Sequence, residues 1–594
     1  MTLIVLIVSL VFLAVSGGGL FPATVGIVAV LLCGTACFST LTRASKAAPC
    51  DGRRTTPLTQ FFSSRPSRPL LEFTASAILL FVLLTAVPLP PVLDSLAGPL
   101  RHQQNEAVVS ALHDAGQVGI PAPDTRPWFA LSRNRAGTLR FFLLIAAAFG
   151  AAWLAASLSA KRKIACLHIL ALIGTAVAVA GYLGQWTYPQ GHTLWWFIPL
   201  PHAVTTPVGC FLNRNHFGGF VALLCPIALA LAHDAANRRR WLMMLVHFGL
   251  CGIMMTVVFH SLSRGALLAL ASGLSVTTLV IAFRHRAIWG LLLLCLILAG
   301  GAMILTRSAM VRDRLQGLQN PMELNSAQSR LAEWRESLRV FPQYPVLGAG
   351  MNALRMVYPQ TRQTSVSARL IYAENEYIQL LAEGGLVGLG LTITLILAVR
   401  KRVREATERV PEIIIVSLAG ALTVTAVHCL FDFPAHLPLY AVVLGTLIGL
   451  FLPGVRPLVI LPAVIGLVGA LVISLNQPGE LKTLDDPAYL NTARYKDLQH
   501  ALIWAPTSSY AWLYLGHAMI REGSSREDYA LCLEGEKFST RASELDPQNY
   551  RLWFELGKTR EILKDYDRAT EAYQHANQLR VWMGVPSLPG SKKP

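Results

Sequence analysis

Along this chain, long apolar runs alternate with short polar or basic stretches. The runs lie around 3–15, 20–38, 70–89, 139–158, 164–184, 217–232, 242–259, 265–283, 288–305, 384–399, 412–431, 438–452 and 458–474. A bilayer core takes about 20 mostly apolar residues per helix, because every backbone polar group must be satisfied internally. The pattern therefore predicts an all-α polytopic membrane helix bundle of about 12–13 spans, with a polar helical segment after position 485. Leu3 to Ala14 has the length of a signal-peptide core. The next apolar run follows without a polar region between them, which favours a tight helical hairpin kept in the protein.

Charge gives the bundle a direction. With the N-terminus in the cytoplasm, the basic loops fall on one side: Arg43, Lys46, Arg53, Arg54, Arg65 and Arg68; then Lys161-Arg162-Lys163; Arg238-Arg239-Arg240; Arg284 and Arg286; and Arg400-Lys401-Arg402 with Arg404. This is the positive-inside bias. An odd number of spans then places the C-terminal region outside, together with the longer segments 90–138, 185–216 and 306–375. The expected units are N-terminal membrane helices over 1–135, a membrane core over 136–475 with its loop 306–375, a helical domain over 484–583, and a disordered tail over 584–594.

Composition agrees with a membrane chain: 53% of residues are hydrophobic and 14% are charged. The net charge of +17 could point to nucleic acid. The cations sit in short clusters between apolar runs, so they read as membrane-surface loops and nucleic acid is excluded as a partner. The ten cysteines are scattered, mostly in apolar runs, without metal-ligand spacing. Neither a zinc site nor a disulfide framework is expected. Trp186, Trp195 and Trp196 suit interfacial anchors better than a sugar-stacking platform.

Arginine on the outer side runs against the charge bias and needs a reason. Arg214 lies in Asn213-Arg214-Asn215-His216 at the start of one span, and Arg264 in Ser263-Arg264-Gly265 at the start of another. An arginine costs about 2.5–3.5 kcal/mol at the bilayer centre and less near the interface, so a partner is expected. A single one would be read as snorkelling to headgroups; two point to an anion site. A third polar motif, Tyr372-Ala373-Glu374-Asn375-Glu376-Tyr377-Ile378-Gln379-Leu380-Leu381-Ala382-Glu383-Gly384-Gly385, opens a third span. Helix N-termini favour phosphate or diphosphate. No lysine occurs between Lys163 and Lys401, and the guanidinium fork suits bidentate oxyanion contacts. The residues thus point to an anionic, lipid-linked group at the outer leaflet. In the 306–375 loop, Ala327 to Phe341 reads as an amphipathic helix closed by a Pro/Gly turn. Most of the loop's arginines, among them Arg355 and Arg362, are expected to be solvated or to face headgroups, with Arg330 and Arg369 the ones to reach the site.

These motifs, with the Arg330, Trp334, Pro345, Gly348 and Gly350 series and the run His428-Cys429-Leu430-Phe431-Asp432-Phe433-Pro434, resemble the O-antigen ligase and polymerase family of bacterial membrane glycosyltransferases. The resemblance covers roughly 140–450. It implies transfer of a glycan from an undecaprenyl-diphosphate carrier to an acceptor glycan or lipid at the periplasmic face of the inner membrane, without nucleotide sugar, metal or other cofactor. Its periplasmic arginines would hold the diphosphate, and a His in a His-Asn-x-x-Leu-like motif would be the general base. Here that His position is Glu374. Glu374 is expected to be the base if burial raises its pKa; His216, His428 and His436 remain alternatives, and so does a simple helix-capping role for Glu374. Arg214 and Arg264 complete the expected catalytic set. Asn213, Asn215, His216, Ser263, Arg330, Arg369, Asn375, Gln379, His428, Asp432 and His436 are the expected substrate contacts. Lipid A-core ligation, repeat-unit or exopolysaccharide polymerisation and protein O-glycosylation would share this machinery. A lipid-linked glycan transporter and an inactive scaffold are the readings from other classes.

Beyond the core, Ala501, Pro506, Trp512, Leu515 and Gly516 recur as Ala542, Pro547, Trp553, Leu556 and Gly557, at a constant offset of 41. The Trp-x-x-Leu-Gly spacing resembles tetratricopeptide repeats, whose shorter period would require an insertion near 521–530. Two repeats bury little alone, so they are expected to pack on the membrane part or on a protein partner.

Overall fold

The computed structural model describes residues 2–16, 22–46, 70–94, 98–121, 123–187, 193–194, 198–199, 208–211, 213–285, 321–363, 371–406, 410–452 and 495–582. The expected spans at 288–305 and 458–474, Trp195, Trp196, Arg369 and the tail lie outside them. The protein is an all-α polytopic membrane protein. Six helices have the length and composition of spans: α6 (Arg135–Ala156), α7 (Ala160–Thr187), α8 (Arg214–Asn237), α9 (Trp241–His260), α10 (Arg264–His285) and α13 (Glu376–Ala406). Five shorter apolar helices join them: α1 (Thr2–Val15), α2 (Pro22–Lys46), α3 (Leu70–Ala86), α14 (Glu412–His428) and α15 (Pro438–Phe451). Each coincides with an apolar run of the sequence.

The most enclosed helix is α8, which packs against α7, α9, α10 and α14. Small residues set the closest approaches. On α15, Gly445 and Gly449 stand one turn apart against the α6 backbone: a Cβ at either position would lie 2.3 or 2.0 Å from the carbonyls of Ala148 and Ala152. Small-xxx-small spacing lets two helix backbones meet where lipid offers no hydrophobic drive. Leu6, Leu10 and Leu13 of α1 pack into the same core as Val28 and Leu32 of α2.

The basic positions gather at one end of the bundle. Lys163 donates to the Leu452 carbonyl (2.9 Å), Arg402 meets Glu72 at 3.3 Å, and Arg284 meets Glu412 at 3.9 Å. The first residues of α6, α8, α10, α13 and α15 lie at the other end. There α4 (Pro91–Asp94) and α5 (Pro99–Gln117) follow α3, and α11 (Pro321–Leu338) and α12 (Leu354–Thr361) precede α13.

A break in α13 organises this end. Gly385 adopts φ +60°, and the helix is interrupted there. The segment Pro345–Gly350 crosses the break and takes up its backbone groups. Ala349 and Gly350 donate to the carbonyls of Ala382 and Glu383, while Leu386 and Val387 donate to those of Pro345 and Val346 (2.9–3.0 Å). Irregular backbone at such depth is tolerated only when protein satisfies it.

The C-terminal helices sit at the same end. They are α16 (Tyr495–Trp504), α17 (Ser509–Arg526), α18 (Tyr529–Leu545), α19 (Tyr550–Ile562) and α20 (Tyr566–Trp582). The recurring positions are geometrically equivalent: the Trp512 indole donates to the Pro506 carbonyl, and Trp553 to Pro547 (3.0 and 2.9 Å). Of the two helices that carry the recurring tryptophans, α17 has 18 residues and α19 has 13. These helices share an apolar cluster with Val108, Leu112 and Ala115 of α5. Arg135, at the start of α6, stacks over Trp504 at 4.3 Å.

Candidate functional site

Each of the three polar motifs is a helix start built the same way. The Asn213 side chain accepts from the Asn215 N–H (2.8 Å), Ser263 Oγ from Ala266 (3.3 Å), and Asn375 Oδ1 from Tyr377 and Ile378 (3.1 and 3.2 Å). A short polar residue at this position satisfies the orphan donors of the first turn. The residue after each cap is the charged one: Arg214, Arg264 and Glu376. The caps therefore hold the charged residues in place, which accounts for Asn213, Ser263 and Asn375 without a contact to substrate. They also leave Glu374 without the capping role, since Asn375 fills it.

The starts of α8 and α10 are neighbours. A Cβ on Gly218 would lie 2.6 Å from Ser261 Oγ and 3.0 Å from the Ala266 methyl, so Arg214 and Arg264 stand on abutting first turns. Arg264 is exposed, and Arg214 and Asn215 are half-buried.

The link from α14 to α15 ties these starts to α13. Asp432 is wholly buried; His216 Nδ1 on α8 lies 2.9 Å and His428 Nε2 on α14 3.0 Å from its Oδ2. Burial alone would raise this carboxyl, but the two imidazoles hold it well below the usual carboxylate range. The carbonyl of Leu430 accepts from Asn375 Nδ2 (3.1 Å), and that of Cys429 from the Glu376 N–H (2.9 Å). Beyond the turn, His436 is enclosed with Nδ1 3.0 Å from Glu376 and Nε2 3.6 Å from Glu383. Burial opposes its charge, yet the two carboxylates lift it to about 10.

Glu374 stands where these elements meet. Its φ of +50° is held by the neighbouring chain: Gln379 Oε1 accepts from the Ala373 N–H at 2.7 Å. Gln379 thus positions the loop and does not reach outward. The Glu374 side chain is 24% exposed, with Arg330 Nη2 3.6 Å from Oε2. Burial first, then the nearby Asp432 charge, pushes its carboxyl up to about 7 against the opposing pull of Arg330 and His216. Tyr372, two residues earlier, stacks on Phe433 with centroids 4.1 Å apart, and burial pushes its phenol up to about 12.

Of the expected residues, the structure gathers Glu374, Arg330, His216, Asp432 and His428 into one cluster, with Arg214 and Arg264 at its helix starts. Arg355 and Arg140 also act on the Tyr372 phenol. The placement of Arg362 differs from the expectation of a solvated arginine, because it makes a buried ion pair with Asp546. Glu383, fully buried, accepts from the N–H groups of Asn352 and Leu354 (2.8 and 2.9 Å). Sequence reasoning passed over Glu383 and Arg140. Arg140 carries the same signal as Arg214, a cation one turn into a span from the side that lacks lysine. Glu383 closes the third polar motif, the signal that could have singled it out. Among the described residues no group of side chains has the makings of a metal site.

An apolar cavity of about 410 Å³ runs from Glu376, Met351 and Ala435 at this end down between α3, α6, α13 and α15 to Glu72 and Leu452. No curated protein matches the chain. Residues 249–393 match the family model described as O-antigen ligase, a stretch that takes in Arg264, Arg330, Glu374 and Glu383. The chain thus carries an O-antigen ligase domain over residues 249–393, which supports a membrane glycosyltransferase of the ligase or polymerase type.

Proposed function

We propose that this protein transfers or polymerises a glycan from an undecaprenyl-diphosphate carrier onto an acceptor hydroxyl at the periplasmic face of the inner membrane, with Glu374 as general base. The carrying observation is the state of Glu374: a carboxyl raised to about 7, partly open to solvent, beside Arg330 and next to two arginine-bearing helix starts. A general base is most effective when its pKa lies near the working pH. The acceptor oxygen attacks the anomeric carbon and its proton passes to Glu374. The bond from that carbon to the diphosphate oxygen breaks, and the diphosphate leaves with the electron pair. Arg214 and Arg264, with the N–H groups of α8 and α10, stabilise the negative charge that grows on the leaving group. The apolar cavity reaching Glu376 suits a lipid-linked donor.

A second reading makes His216 the base. It rests on the Nδ1 contact to Asp432, which fixes the tautomer and leaves Nε2 as the atom that could exchange a proton. His428 and His436 do not compete, with side chains only 1% exposed.

Purified protein in lipid discs, supplied with a lipid-diphosphate-linked oligosaccharide and candidate acceptors, tests the proposal. Arg264→Gln and Glu374→Gln should each lose transfer by about a hundredfold or more. Full transfer by both variants would end the assignment, and loss in His216→Gln but not Glu374→Gln would move the base to His216.

A further inference from the structure

α12 is a short helix with its two ends tied to different parts of the molecule. At its start, the Glu383 carboxylate accepts from Asn352 and Leu354, and the same carboxylate faces His436. Just past its end, Arg362 Nη2 lies 2.6 Å from Asp546 Oδ1 at the close of α18, with both side chains less than a tenth exposed. Met356 packs on Ala505 between these ends. On its flank, Glu336 of α11 accepts from Tyr358 (2.6 Å) and from the Gln363 N–H (3.0 Å). The helix α11 also carries Arg330, the partner of Glu374. Leu354, Val357 and Tyr358 of α12 share an apolar cluster with Ala373, and the adjoining Tyr372 stacks against Phe433 beside Asp432.

A buried ion pair is a costly way merely to glue two surfaces together, because desolvation offsets most of the Coulomb gain. What it supplies is a fixed register, since either partner alone is strongly unfavourable. The register set here is that of the helix packed on Ala373 and tied to the Glu383–His436–Glu376 chain.

We propose that Arg362 is a positioning residue: through its ion pair with Asp546, the C-terminal helices hold α12 and the Tyr372–Glu374 segment in the catalytically competent arrangement. This rests on the glycan-transfer reading for its activity readout and on geometry for the rest. The C-terminal helices are then part of the working enzyme, and glycan transfer depends on their docking.

The test uses the full chain in lipid discs with three variants: Asp546→Asn, Arg362→Gln, and the exchanged pair Arg362→Asp with Asp546→Arg. Each single variant should lower kcat about tenfold, with KM for the lipid-diphosphate donor within about twofold, since small misplacements act on the chemical step. The exchanged pair should recover most of that loss, because coupled partners are not additive. In hydrogen exchange, Asp546→Asn should speed exchange both in 354–361 and in 371–376. Unchanged kcat in the single variants overturns the proposal, as does an exchanged pair no better than they are. Faster exchange confined to 354–361 would also overturn it, reducing the ion pair to adhesion. If the wild-type protein transfers nothing from the lipid diphosphate, the function proposed above fails, while the exchange measurements still decide the positioning role.

Discussion

Glu374 shows how one residue's role is set by its neighbours. Its raised pKa comes from burial and from Asp432, and it is restrained by Arg330. Because the base works as a carboxylate, transfer should rise with pH through about 7 and level off above it. Arg330→Gln removes a cation that favours the ionised form, so the rising limb should move to higher pH; a pH profile of kcat/KM checks both statements. An unshifted limb in Arg330→Gln would separate the observed ionisation from Glu374. Asp432 is the other sensitive residue. Asp432→Asn leaves His216 and His428 facing each other across an uncharged amide in a dry site. Removing one partner of a buried ionic group costs about 3–5 kcal/mol, so thermal unfolding in lipid discs should show a large loss. The arginine-bearing helix starts and Glu374 were legible because each is a local pattern of neighbouring residues, whereas Asn213, Ser263 and Asn375, expected as substrate contacts, are caps. The pairing of His216 with Asp432 joins positions 216 residues apart, and no local pattern encodes it.

Among the elements, the broken helix α13 carries the most information. Its apolar run predicts a span over 384–399, and the span is there, but the helix begins at Glu376 and breaks at Gly385. Pro345-Val346-Leu347-Gly348-Ala349-Gly350 and Glu383-Gly384-Gly385 read as separate motifs in sequence. In space they are one structure, in which Gly348 at φ +67° lies against the Glu383 carbonyl. A Cβ at Gly348 would fall 2.1 Å from that oxygen, and one at Gly385 2.4 Å from the Gly348 nitrogen. Gly348→Ala and Gly385→Ala add this backbone collision to a left-handed conformation that itself costs about 1–2 kcal/mol. Both should destabilise strongly and lower transfer. Gly384→Ala is the control: its nearest neighbour is the Leu380 Cδ1 methyl at 3.3 Å, and it should behave nearly as wild type. Thermal unfolding of the three variants decides; equal losses in all of them would mean the crossing does not govern the site.

For the whole molecule, parity and charge were enough to arrange the two ends. Among the described residues, Lys163, Arg284 and Arg402 share one end, and the polar helix starts share the other with the C-terminal helices. How the C-terminal helices dock was not legible, because it depends on the α5 face, Arg135 and Arg362, each unremarkable in its own stretch of chain. Which compartment each end faces follows from the positive-inside bias alone, and it is open to direct measurement. Arg239 lies in an exposed basic turn and Glu571 on an exposed face of α20. The seven cysteines with described side chains are buried, so with Cys37, Cys50 and Cys295 replaced by Ala, single substitutions at these two sites can report access to a membrane-impermeant maleimide. Glu571→Cys should label in cells whose outer membrane alone has been opened, and Arg239→Cys only after the inner membrane is breached. The reverse pattern would put Arg214, Arg264 and Glu374 in the cytoplasm. A lipid-linked glycan presented at the outer leaflet could not reach them there, and the proposed reaction would have to be abandoned together with the orientation.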